Sequence, residues 1–313
     1  MIIDLHCDTI SVLTHKEGLN LLDNDLQVDI NKLKAGNYLA QCFALFTYLK
    51  QEAPYEDTLK MLACFQEEIK NNKLNLATSV HSLKPNELNA ILTIEDLGVI
   101  EEDLSRLDYL YESGVRIASL TWNFKNSIGY PNKINLQTGK TEPDNENGLT
   151  EFGKKVINIM EEKGIIIDVS HLSDKGFWDV LNNTTKPFIA THSNCRSICN
   201  HTRNLSDEMI IALNKRGGVM GMNFCTAFIN SDAQITTVED IIKHIDYIKK
   251  IASIDVIALG TDFDGIGRTT EIDNASQMGI LNDALKTHGY TDLEINKITH
   301  LNFLRVFGEV CHD

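Results

Sequence analysis

The chain contains no run of about 18 uncharged apolar residues, the length a helix needs to cross a bilayer. Basic residues are in deficit, 29 Lys and Arg against 44 Asp and Glu, for a formal charge of −15. A surface of that sign repels phosphate backbones and anionic lipid, so neither nucleic acid nor membrane is expected as a partner. The start, Met1-Ile2-Ile3-Asp4-Leu5-His6, lacks the basic head and unbroken apolar core of a secretory signal, and a cytoplasmic location is expected. Cysteines number seven, an odd count, and Cys195 with Cys199 has no second pair to complete a structural zinc site. They are expected to be buried free thiols in a reducing compartment. No Gly-x-Gly-x-x-Gly follows an apolar run, which removes the main mark of a dinucleotide-binding fold. There is no Ser-, Gly- or Pro-rich linker, no internal repeat and no low-complexity tract.

What is present is a rhythm. Short apolar, β-branched runs suited to buried parallel strands recur at 2–6, 39–46, 90–95, 115–120, 164–169, 187–191, 218–223 and 255–261. Segments of helical spacing separate them. One opens at Thr150, a plausible N-cap, and closes at Lys163-Gly164. Another starts at Ser206 and ends near Arg216-Gly217, and a third starts at Thr237 with an apolar stripe of Ile241, Ile242, Ile245 and Ile248. Eight strands alternating with helices over 313 undivided residues predict a single-domain α/β protein, a (β/α)8 TIM barrel spanning 1–313. The polar, turn-rich stretch 123–147 reads as a long loop over the barrel mouth.

In such a barrel the functional groups lie where strands end, on the carboxyl-terminal face. The strand ends carry His6 and Asp8, then Glu95, His171 and His192, and finally Asp262 and Asp264. Imidazoles and carboxylates gathered at one layer suit zinc or a similar divalent ion. His6 and Asp8, one residue apart, would face the same side of an extended strand and serve one ion. His171 and His192 would serve a second, with Glu95 as the bridge. Four or five protein ligands over two ions leave an open position for water, as catalytic sites do.

Taken singly, each of these residues is more often a satisfied core or surface group than a ligand. His15, His81, His201, His244, His288, His300 and His312 lack the strand-end context and are assigned no role. Asp4 and Asp168 lie inside strands, where each either supports a ligand from behind or faces a helix.

Six ordered motifs resemble the renal or membrane dipeptidase family, dinuclear zinc peptidases of the metal-dependent hydrolase superfamily. They are Asp4-Leu5-His6-Cys7-Asp8-Thr9, Thr93-Ile94-Glu95-Asp96, Ile167-Asp168-Val169-Ser170-His171-Leu172-Ser173, Ala190-Thr191-His192-Ser193-Asn194, His201-Thr202-Arg203-Asn204-Leu205-Ser206-Asp207 and Gly260-Thr261-Asp262-Phe263-Asp264-Gly265. The resemblance implies a metal-dependent hydrolase barrel with two zinc ions, His6 and Asp8 on one, His171 and His192 on the other, and Glu95 bridging. It implies a dipeptidase acting on short peptides, including those with a D-residue at the carboxyl-terminal position, by attack of a metal-bridging hydroxide. Arg203 would hold the substrate's terminal carboxylate, and Asp262 would carry the proton to the leaving amine. It also implies pairing into a homodimer.

The chain departs from the family's mammalian members at two substrate-facing positions. Trp122, in Leu120-Thr121-Trp122, stands where they have His, and Phe228 stands where they have Tyr. An indole cannot polarise a carbonyl as an imidazole can, and a phenyl ring has no hydroxyl to donate. Two alternative readings follow: a related amidohydrolase or deaminase acting on a non-peptide amide, and a non-catalytic metal- or peptide-binding relative. The absence of Lys from 115–120 argues against the branch that uses a carboxylated lysine on its fourth strand.

Overall fold

A computed structural model describes residues 1–312 except Leu136, Gln137 and Gly139. Those three, in the predicted mouth loop, and Asp313 lie outside the described residues. Eight short strands, β1 (Ile2–Asp4), β2 (Tyr38–Phe46), β3 (Asn89–Glu95), β4 (Val115–Ser119), β5 (Ile166–Asp168), β6 (Ile189–Ala190), β7 (Val219–Met222) and β8 (Ile257–Leu259), run parallel. Each pairs with the next, and β8 returns to β1 through Leu259 and Asp4, so the sheet closes into the predicted (β/α)8 barrel.

The helices between them form where the sequence punctuates. Thr150 accepts a hydrogen bond from Gly153 N to open α4 (Glu151–Lys163), following α1 (Thr9–His15), α2 (Pro54–Asn71) and α3 (Leu104–Glu112). Gly164 closes α4 with φ +76°, a left-handed conformation that glycine adopts without strain. α5 (Asp174–Asn183) and α6 (Asp207–Lys215) are capped by Ser173 and Ser206. α7 (Val238–Ile251) opens on a reciprocal box in which Thr237 and Asp240 bond each other's backbone N–H, and the predicted isoleucine stripe is buried. Among the described residues no helix is long and apolar enough to cross a membrane.

Two apolar clusters fill the molecule. One lies between sheet and helices. The other gathers strand residues such as Ile91, Ile117, Ile166, Ile189 and Val219 with Phe303, Val306, Phe307 and Val310 of the last helix, α8 (Asn302–Val310). α8 thereby packs its aromatic face against the residues that fill the barrel, a role the sequence reading did not assign.

Six of the eight strands are shorter than predicted at the ends nearest the site, whereas β2 and β3 end at Phe46 and Glu95 as predicted. β1 stops at Asp4, two residues before His6, and Asp8 caps α1 with φ −100° and ψ +12°. Between His6 and Asp8 the ladder resumes as a parallel bridge of Cys7 with Phe263, carried by Asp8 N to Phe263 O (3.0 Å), with Ala44 N to Cys7 O (3.0 Å) on the other side. The two residues therefore flank an extended Cys7, as their spacing predicts. Asp96, His171, Asp262 and Asp264 all take positive φ, between +65° and +73°, which ends regular pairing and redirects the side chains at the mouth. The stretch 123–147 is not all irregular: Lys133–Ile134 and Thr141–Glu142 pair as an antiparallel hairpin. Asn132 pins it, donating to Asp174 Oδ1 (2.9 Å) and Thr202 O (2.9 Å). The seven cysteines are free, with Cys64 and Cys225 half-buried rather than buried.

Candidate metal centre

Closure of the barrel brings the strand-end residues together. His6 Nε2 lies 3.4 Å from Asp8 Oδ2, 3.5 Å from Glu95 Oε2 and 3.9 Å from Asp262 Oδ1. His171 Nε2 lies 3.0 Å from Glu95 Oε1 and 3.0 Å from His192 Nε2, and His192 Nε2 is 3.6 Å from Glu95 Oε1. Two overlapping donor sets result, His6 with Glu95 and His192, and His6 with Asp8 and Asp262. The predicted division into His6 with Asp8 and His171 with His192 is thus less sharp in the donor geometry. Asp262 sits as close to His6 as a ligand would.

The surrounding bonds decide which atoms face inward. The His171 Nδ1–H donates to Asn123 Oδ1 (2.9 Å), which leaves Nε2 with a lone pair. The His192 Nδ1 meets Thr191 Oγ1 at 2.7 Å, and that hydroxyl donates to Asp168 Oδ2 at 2.5 Å. A hydroxyl has one hydrogen, so Thr191 accepts from the His192 Nδ1–H, and the Nε2 of His192 also carries a lone pair. Asp168 Oδ1 takes the backbone N–H of Ser170 and of Thr191, both at 2.9 Å. Burial raises the Asp168 pKa, and those donors oppose the rise.

Two ring lone pairs 3.0 Å apart beside a carboxylate repel unless a cation lies among them. The buried His6 Nε2 and Asp8 Oδ1 also lack any hydrogen-bond partner among the described residues. Both observations fit a divalent ion, and all five predicted ligands have the donor chemistry such an ion takes.

Electrostatics agree. Burial holds the His171 pKa down at about 4, with Arg203 adding to the effect. Burial and His6 hold His192 well below the ordinary value, so both rings are neutral, as ligands must be. Burial would depress His6 too, but the Glu95 and Asp8 carboxylates outweigh it and raise it well above normal. Burial would raise Glu95, yet His6, His171 and His192 pull it far down. The pocket therefore favours positive charge at its centre. Burial, with the Asp8 and Glu95 charges added and His6 opposing, pushes Asp262 up to about 7, and Asn223 Nδ2 donates to its Oδ2 at 2.8 Å.

A cavity of about 570 Å³ opens over this cluster. Arg203, Trp122 and Phe228, the predicted substrate contacts, all line it. Arg203 is 8% exposed; among the described residues its guanidinium donates only to His192 O (3.3 Å) and forms no ion pair, while its backbone N–H donates to His201 Nδ1 (3.1 Å). Among the described residues its Nε has no partner, and its guanidinium lies 5.5 Å from the Phe228 ring. A buried cation left unpaired costs several kcal/mol, which an incoming anion would offset.

Sequence reading missed Asn123, Thr191, Asn223 and Thr261. The last repeats the Thr191 arrangement across the barrel: Asp4 accepts Thr261 N (2.9 Å) and Thr261 Oγ1 (2.7 Å), just before Asp262. The available signal was the Thr that directly precedes both His192 and Asp262. Asp4 and Asp168, left open between two roles, both brace neighbouring strands behind the site. Of the histidines assigned no role, His244 is buried between Cys195 N and Ile229 O, and His201 packs on Phe228 with ring centres 4.6 Å apart.

Residues 1–312 match the family described as membrane dipeptidase, peptidase family M19. A protein encoded in the pqqA 5′ region of Klebsiella pneumoniae is 35% identical over 226 residues, 71% of this chain and 82% of that protein. Dipeptidase 3 of Mus musculus is 30% identical over 246 residues, 76% of this chain, and the match spans about half (48%) of the mouse protein. A metallo peptidase from Rhodobacter sphaeroides, solved with a phosphinate mimic of L-Ala-D-Ala, superposes with a TM-score of 0.91 at 22% identity, covering 99% of both chains. That likeness shows the fold.

Proposed function

On the premise that this chain belongs to the membrane dipeptidase family, peptidase family M19, we propose that it is a zinc-dependent dipeptidase. Its substrates are dipeptides with a free carboxyl terminus, including those with a D-residue at the second position. The observation that carries this reading is the buried, unpaired Arg203 facing the same cavity as the donor cluster. A forked cation opposite a cation-seeking centre suits a short molecule with a carboxylate at one end and a hydrolysable carbonyl a few ångströms away.

His6, Asp8, Glu95, His171 and His192 would hold two divalent ions. When bound, such ions make a water acidic enough to attack near neutral pH and polarise the scissile carbonyl. Arg203 orients the terminal carboxylate and excludes longer chains that carry none at that place. Asp262, anchored by Asn223, is placed to take a proton from the attacking water and deliver it to the leaving nitrogen. Trp122 offers no polarising imidazole, so no side chain at its position assists the carbonyl.

The test is hydrolysis of L,L and L,D dipeptides by zinc-reconstituted protein, together with Glu95→Gln. We expect turnover by the native chain and loss of at least about 10²-fold in the variant. Full activity of Glu95→Gln at normal metal content would remove the mechanism. Two bound ions with no dipeptide cleaved would favour the binding relative instead.

A further inference from the structure

Walking round the barrel mouth, Arg203 follows β6 and Phe228 follows β7, whereas Phe46 ends β2 and Trp122 follows β4. Because the strands close in chain order, β2 and β6 lie on opposite sides of the barrel. The two ends of a bound dipeptide therefore meet different walls. With its carboxylate on Arg203, its amino-terminal residue reaches the β2–β4 side.

That side is aromatic. Phe46 is paired in register with Glu95, which puts its ring beside the central carboxylate. Trp122 packs 5.0 Å from Phe46 and 6.1 Å from His171, centre to centre. Both rings are half-buried and line the cavity, as does Val12. Tyr48 and Phe124 do not line it. They meet Trp122 edge-on at 6.0 and 5.6 Å and each other at 5.8 Å, a ring cluster that holds the indole in place. Lys50 has its Nζ 3.3 Å above the Phe124 ring and is not among the residues lining the cavity. At about 570 Å³ the cavity has far more room than two small residues fill.

We propose that Phe46 and Trp122 form the subsite for the amino-terminal side chain of the dipeptide and select a large apolar, above all aromatic, residue there. This rests on the dipeptidase reading above. The physical basis is the desolvation of a bulky side chain against two half-exposed rings, with offset or edge-on ring contact favouring Phe and Tyr. Charged side chains would lose hydration on that wall without gaining a partner.

The experiment compares kcat/KM of the zinc-loaded enzyme on Phe-Ala, Leu-Ala, Ala-Ala, Glu-Ala and Arg-Ala, with Ala-Phe as the reversed control. Phe-Ala should exceed Ala-Ala on the order of 10- to 100-fold, mostly through KM, and exceed both charged substrates. In Trp122→Ala the Phe-Ala to Ala-Ala ratio should collapse toward one, while the Ala-Phe to Ala-Ala ratio should not. A native ratio near one, a preference for Glu-Ala or Arg-Ala, or an unchanged ratio in Trp122→Ala would overturn the assignment. A second readout is independent of turnover. The chain has two tryptophans, Trp122 and Trp178, so Trp178→Phe leaves Trp122 as the sole indole reporter. Phe-Ala should then shift or quench its emission at concentrations where Ala-Ala does not. If no dipeptide is cleaved, the dipeptidase reading fails, and this titration still decides the subsite: a response to Phe-Ala alone supports it, and no response contradicts it.

Discussion

At the scale of single residues, the site depends on hydrogens whose positions follow from counting donors. Thr191 has one hydroxyl hydrogen and three polar neighbours, Asp168, His192 and Ser170, and giving it to the carboxylate leaves the His192 Nε2 lone pair pointing inward. Thr191→Val keeps the shape and removes the hydroxyl. Divalent-ion affinity, measured by chelator competition on the stripped protein, should fall about 10- to 100-fold, with Thr191→Ser close to native. An unchanged affinity in the valine variant would show that the hydroxyl does not set the ring. Arg203 makes a prediction of opposite sign for two properties. Arg203→Met removes a buried cation with no ion-pair partner, so thermal unfolding of the zinc-loaded protein, where the ions already balance the carboxylates, should shift upward or hold. kcat/KM for dipeptides should drop about 10²- to 10³-fold through lost carboxylate pairing. A drop in both would mean the guanidinium is structural. The donor residues His6, Asp8, Glu95, His171 and His192 were legible because each ends or closely follows an apolar strand run in the sequence. Thr191 and Asn123 were not, since their partners depend on how neighbouring strands and loops align, as Asp168 does opposite Ile189.

At the scale of elements, helix starts could be read from the chain because capping is local. Thr150, Ser206 and Thr237 each bond a backbone N–H three residues on. The ends of β2 and β3, at Phe46 and Glu95, could be read as well, but the other six could not, because they stop where the site turns the chain, with His171 and Asp262 at positive φ. The box at the start of α7 predicts a pH effect. Burial works against Asp240, but its bonds from Thr237 and Lys243 hold the pKa at about 2, below its unfolded value near 3.8. A depressed folded pKa stabilises above the unfolded value and loses that contribution as pH falls through about 4 toward 2. Asp240→Asn should therefore be less stable than native at pH 6, and the gap should narrow at pH 2–3 in urea unfolding. A constant gap would contradict the assignment. Gly153 makes a packing prediction: a Cβ there would sit 1.9 Å from Ile128 O, a backbone atom that cannot swing away. Gly153→Ala should cost about 1–3 kcal/mol despite the better helix propensity of alanine, and a stabilised variant would show that α4 shifts freely.

At the scale of the whole molecule, His6 and Asp264 stand 258 positions apart and still share one layer, because a closed parallel barrel delivers all its strand ends to one face. Alternating apolar runs and helical stripes made that architecture legible. The seat of α8 against the residues filling the barrel was not, since its apolar face reads like that of any outer helix. The same closure concentrates two imidazole lone pairs and several carboxylates in a buried volume, an arrangement that excess negative charge makes unfavourable without cations. Metal binding should accordingly stabilise the fold, by about 2.7 kcal/mol at a free ion concentration 100 times the dissociation constant. The most direct test is anomalous diffraction at the zinc edge from crystals grown with zinc. The account predicts two peaks at the mouth, one against His6 and Asp8 and one against His171 and His192, with Glu95 between them. An empty mouth, or zinc only on surface residues, would contradict it.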